Sequence, residues 1–123
     1  MINIEFDKDL INKGINLGIA AVKISHTPIS NEEYNISNMF SPIISEINSQ
    51  YNLENIKADP IISAYRTFYW KFLNIDPTKT RPASEALIRR ILGNKPLPKI
   101  SPFVDSYNWA SVKSLISLGA YDA

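Results

Sequence analysis

The sequence predicts a single mixed α/β (α+β) domain, two early strands followed by about four helices. Three observations predict it. Ile2, Ile4 and Phe6 alternate with Asn3 and Glu5, the period of a half-buried strand. Residues 17–24 form a mostly apolar run, as in a more buried strand. Beyond residue 30, apolar side chains recur at helical spacing behind cap and proline signals.

Between the strands, residues 7–13 are polar and read as a short helical turn ended by Gly14. His26-Thr27-Pro28 ends the second strand, because proline cannot donate to a sheet ladder. Ser30 and Glu33 have the spacing of a capping box, in which each side chain accepts from the other's backbone amide. The helix behind it carries Met39, Phe40, Ile43, Ile44 and Ile47 on one stripe. Pro42 lies within it and predicts a kink, or a restart with Ser41 as a new cap.

Asp59-Pro60 is the next start signal, a cap followed by proline at the first helical position. Ile61, Ile62, Tyr65, Phe68, Tyr69 and Phe72 share its broad apolar face, and residues 73–77 close it. Pro82 opens a helix that buries Leu87, Ile88, Ile91 and Leu92 and stops at Gly93-Asn94. A stiff linker, 95–98, leads to Ser101-Pro102, which caps a last helix. Its inward residues are Val104, Ala110 or Ser111, Leu115 and Leu118. Two strands alone make a marginal sheet, so further strands are expected from a longer chain or a partner chain.

Composition bounds the function. A chain of 123 residues with 45% hydrophobic side chains is one ordered domain. No apolar run approaches the roughly 20 residues of a membrane span, and the N-terminus lacks the features of a signal peptide. There are no cysteines, which removes disulfides and thiolate chemistry and makes a cytoplasmic location the expectation. The lone His26 has no second histidine or cysteine at ligand spacing, so no metal and no cofactor are expected. It reads as a general base or as a structural loop residue.

Net charge is +1, but it is unevenly spread. Residues 1–60 hold four basic and eight acidic side chains, and residues 61–100 hold eight and two. That asymmetry fits either a basic face for an anionic partner or a segregated solvated surface. Lys79, Arg81, Arg89, Arg90, Lys95 and Lys99 form the densest basic cluster, suited to phosphates. Arg66, Trp70 and Lys71 alternate with Phe68, Tyr69 and Phe72. Interleaved bases and rings can stack nucleobases, whereas helical spacing assigns Phe68, Tyr69 and Phe72 to the core.

One stretch, 66–122, has an order of motifs that is more specific. It contains Arg66-Thr67-Phe68-Tyr69, then Arg81-Pro82 with Ser84-Glu85-Ala86-Leu87 and Arg89-Arg90-Ile91, and finally Val104-Asp105 with Asn108. In that order it resembles the tRNA-editing (B-three/B-four) module of the phenylalanyl-tRNA synthetase beta subunit, and the free-standing proteins that carry only that module. The resemblance implies an α/β fold of which this chain is the N-terminal part. It implies tRNA, or an aminoacyl-tRNA-like ligand, as partner and hydrolytic removal of a mischarged amino acid as activity. Asp105, Asn108 and Gly119 are then the pocket residues, and Lys79, Arg81, Arg89 and Arg90 the RNA contacts; catalytic residues stay unassigned. Gly119-Ala120-Tyr121-Asp122 stands where the family has a His-Ala-Phe-Asp-like tetrapeptide. The alternative is a non-catalytic protein-interaction or small-molecule-binding module, as a homo-oligomer or with a partner chain completing the sheet.

Overall fold

The structure is a computed structural model, and it describes residues 2–25 and 37–122. Five α-helices appear among them: α1 (Lys8–Asn12), α2 (Ser37–Gln50), α3 (Pro60–Phe68), α4 (Ala83–Leu92) and α5 (Pro102–Ser114). A 3-10 turn, Ile56–Ala58, precedes α3, and a π-helical turn, Tyr69–Leu73, continues it. No strand is present among the described residues, so the described fold is helical and the α/β (α+β) expectation is corrected. Both predicted strands are irregular backbone. Ile2, Ile4 and Phe6 are exposed, as are Leu17, Ile19, Val22 and Ile24. Alternation prepares a strand to lie on a core, but its backbone also needs a neighbouring strand, and neither segment has one among the described residues.

The helix starts follow their local signals. The Asp7 carboxylate accepts from the Asp9 amide at the head of α1, and Gly14, at φ +68°, follows the helix. Asp59 accepts from the Ile61 and Ile62 amides, with Pro60 in the first turn of α3. The Ser101 hydroxyl accepts from the Val104 amide at the head of α5. α2 runs unbroken through Pro42, so there is no restart at Ser41. His26 and the Ser30 capping box lie outside the described residues.

The core lies where α2, α4 and α5 meet the 3-10 turn and α3. Ile47, Ile56, Ile62, Ile88, Ile91, Trp109, Val112 and Leu115 are buried in it. Each fully buried isoleucine or valine contributes roughly 1.5–3 kcal/mol of transfer free energy. Phe40 of α2 stacks on Trp109 of α5 with ring centroids 4.5 Å apart. Leu115 closes α5 in the left-handed region at φ 63°, a conformation that costs a branched residue energy and that its burial offsets.

After α5 the chain turns back and is held by hydroxyls from three helices. Tyr65 of α3 accepts from the Ser117 amide at 3.1 Å, and Ser111 of α5 accepts from the Leu118 amide at 3.0 Å. The Ser117 hydroxyl accepts from the Ser84 amide at the head of α4. The Ser84 and Ser117 hydroxyls also lie 3.3 Å apart, so the buried hydroxyls of Ser84 and Ser111 both have partners. Among the described residues, no helix is long and apolar enough to cross a membrane.

Candidate anion-binding cleft

The site is organised around Glu85. It sits in the first turn of α4, where the helix dipole favours a carboxylate, and it is 0% exposed. A buried carboxylate needs partners, and it has two. Arg66 of α3 places Nη1 at 2.8 and 3.0 Å from its two oxygens. Arg89, one turn further along α4, donates from Nε to Oε1 at 2.8 Å. Both arginine side chains remain 19% exposed. One carboxylate between two guanidiniums leaves the trio cationic.

Two loops finish the positioning. In the first, Asn52 accepts from the Glu54 and Asn55 amides, and Asn55 accepts in return from the Asn52 amide at 2.7 Å. This closed turn presents the Leu53 carbonyl, to which Arg89 donates from Nη1 at 2.9 Å. In the second, Asp76 accepts the Thr78 amide through its side chain and the Lys79 and Thr80 amides through its backbone carbonyl. That turn presents the Thr78 hydroxyl, which accepts from Arg66 Nη2 at 3.2 Å. The 3-10 turn between the first loop and α3 brings Lys57 to the same side.

The result is a surface cleft of about 520 Å³ lined by Leu53, Glu54, Lys57, Arg66, Thr78, Arg81 and Arg89. Arg81 is exposed and has no hydrogen-bond or ion-pair partner among the described residues. Among the described residues no cluster of histidine, cysteine or carboxylate side chains is arranged to hold a metal. The cleft's lining is mostly N–H donors and positive charge, three guanidiniums and the Lys57 ammonium beside the Glu54 carboxylate, which suits an oxyanion.

Of the four predicted RNA contacts, Arg81 and Arg89 meet in this cleft. Lys79 is exposed on the turn leading to Arg81 and does not line it. Arg90 is turned elsewhere, donating from Nε to the Pro96 carbonyl at 3.0 Å. The three predicted pocket residues do not line the cleft. Asp105 is buried in the first turn of α5, where it accepts from the Ile100 amide at 3.0 Å, a bond that fixes the entry of the chain into the helix. Asn108 is half-buried one turn along. Gly119 is exposed beyond the far end of α5, where an added Cβ meets only the Tyr121 ring at 3.9 Å.

Glu85 and Arg66 are the residues of the cleft's charged centre that residue-by-residue reading missed. Helical phase alone puts Arg66 on the side opposite the core, beside Trp70, yet its guanidinium reaches inward to α4. Two of the trio had a local signal, because Glu85 and Arg89 stand four apart on one helix. Comparison of the chain with known proteins finds no matching family model, no matching curated protein and no matching solved structure.

Proposed function

We propose that this chain is an RNA-binding module that takes phosphates of a tRNA-like strand into the basic cleft. One observation carries the reading: Arg66 and Arg89 are pinned on the buried Glu85 beside Arg81, which has no partner among the described residues. Arginines already fixed in place have lost their rotamer entropy before a ligand arrives, so more of each contact is retained as affinity. Trp70, four residues after Arg66, is 56% exposed, and an exposed ring on a basic segment can stack a base. The resemblance to the B-three/B-four module supports tRNA as the first RNA to test. The hydrolytic editing of that family stays with the resemblance, and the binding step is the part the cleft supports.

The test is tRNA binding by fluorescence anisotropy as a function of salt. Wild type is expected to bind with a steep salt dependence. The Lys57→Ala, Arg81→Ala double variant is expected to lose about one to two units of slope in log K against log salt. Unchanged affinity and slope would sink the reading.

A protein-interaction role is the second reading, and one observation favours it. Ile4, Phe6, Ile19 and Val22 are exposed on segments that pair with no strand among the described residues. Light scattering on the purified chain at rising concentration tests it: a concentration-independent monomer removes the self-association form of this reading.

A further inference from the structure

We infer that the cleft anchors a terminal phosphomonoester on a nucleotide, in preference to an internal phosphodiester of a strand. The inference deepens the RNA-binding reading and rests on the same cleft. Charge is the first argument. Lys57, Arg66, Arg81 and Arg89 face Glu54 on the rim and Glu85 beneath, which leaves two positive charges uncompensated. A phosphodiester brings one negative charge, whereas a phosphomonoester brings about −1.5 to −2 near neutral pH. The dianion is the better match.

Donor geometry is the second argument. Arg66 spends Nη1 on Glu85 and one Nη2 hydrogen on Thr78. Arg89 spends Nε on Glu85 and one Nη1 hydrogen on the Leu53 carbonyl. Among the described residues each keeps unclaimed N–H groups, and Arg81 keeps its whole fork. Donors converging from three elements (α3, α4 and the turn before α4) suit a group with three free oxygens. A diester offers two, and its chain must leave the site at both ends.

Size is the third. A cleft of about 520 Å³ is much larger than a phosphate and lies in the range of small-molecule sites. Leu53 supplies an apolar wall against which a ribose or base can lie. The ligand chemistry is thus a nucleotide ending in a monoester, whether the 5′ end of an RNA or a free mononucleotide.

The experiment compares one 12-residue oligoribonucleotide carrying a 5′-phosphate with the same strand carrying a 5′-hydroxyl. AMP and adenosine are run as competitors, using the full chain. The expected result is about tenfold tighter binding of the phosphorylated strand. Arg81→Ala is expected to abolish that preference and Lys113→Ala, on an exposed position of α5, to keep it. Circular dichroism confirms that the Arg81 variant is folded, and Arg81→Lys is expected to restore part of the preference. Competition by AMP but not adenosine, at an affinity equal to the phosphorylated strand's, assigns the site to mononucleotides. Much weaker competition by AMP assigns it to RNA ends. Equal binding of the two strands would overturn the terminal-phosphate inference and leave the RNA-binding reading standing. Failure of every RNA and of AMP to bind would overturn both.

Discussion

Residues 2–25 and residues 37–118 are both rich in isoleucine and leucine, yet only the second region buries them. In the first, Val22 is 83% exposed, and Lys13 ties the segment to the bundle by donating to the Phe72 carbonyl at the end of the π-helical turn. In the second, Ile56, Ile62, Ile88 and Val112 are fully buried. The difference lies in what each pattern needs. A helix satisfies its own backbone and asks neighbours only for an apolar surface. A strand asks for a surface and for a second backbone in register. The first need is met by α2, α4 and α5 packing on one another, and the second is unmet among the described residues.

Breaking the packed region at its charged centre is expected to have the largest effect. Glu85→Ala leaves Arg66 and Arg89 facing each other without the carboxylate, at a cost of about 3–5 kcal/mol. For a domain of this size that lowers the melting temperature by roughly 10–20 °C in a calorimetric scan. A loss under about 1 kcal/mol would mean that the two arginines find other partners and that the trio does not hold the fold. Next comes the apolar core: Ile88→Ala is expected to cost about 2–5 kcal/mol in urea unfolding, from lost burial and the cavity left behind.

A smaller effect is expected at the edge of the core. The Tyr51 hydroxyl donates to Asp59 at 2.8 Å, and its pKa is raised above the ordinary tyrosine value, first by burial and then by that bond. The folded state therefore keeps the proton to higher pH than the unfolded chain does. The resulting stability is fully present below the unfolded pKa, about 10, and is lost as pH rises through the folded value. Tyr51→Phe is expected to cost about 1 kcal/mol at neutral pH. It should also flatten the decline in stability above about pH 10, measured by urea unfolding across pH. An unchanged alkaline decline would assign it to other groups.

The smallest effect sharpens the comparison from the other side. Val22→Asn is expected to change stability by no more than about 0.5 kcal/mol, because an exposed apolar side chain has little burial to lose. A loss above about 2 kcal/mol would show that this segment packs in solution. Were the loss to grow with protein concentration, it would favour a second copy as the surface on which it packs.

How far the fold could be read in advance follows the same division. Asp7 and Gly14 bracket α1, Asp59-Pro60 opens α3, and Ser101-Pro102 opens α5, all as expected. Each is a bond or a backbone preference spanning two to four residues, and such signals act wherever the chain goes. Pro42 shows the limit: a residue that tends to break helices is carried inside α2, whose apolar stripe packs on α4 and α5. The basic cluster was legible as composition but not as a site. Arg81 and Arg89 line one cleft while Arg90 turns to Pro96, and nothing in two adjacent arginines distinguishes them.

The sequence by itself determined where α1, α3 and α5 begin, the apolar stripes of α2 and α4, and that positive charge gathers between residues 61 and 100; on α5 the expected inward Ala110 and Leu118 are exposed, and Trp109 and Val112 fill the core instead. Tertiary structure alone decided that the two early apolar segments form no sheet among the described residues, and that Arg66 crosses from α3 to Glu85, nineteen residues away. Caps and stripes are interactions of a chain with its near neighbours. Ladders and buried ion pairs join segments far apart in the chain, and they form only where packing brings those segments together.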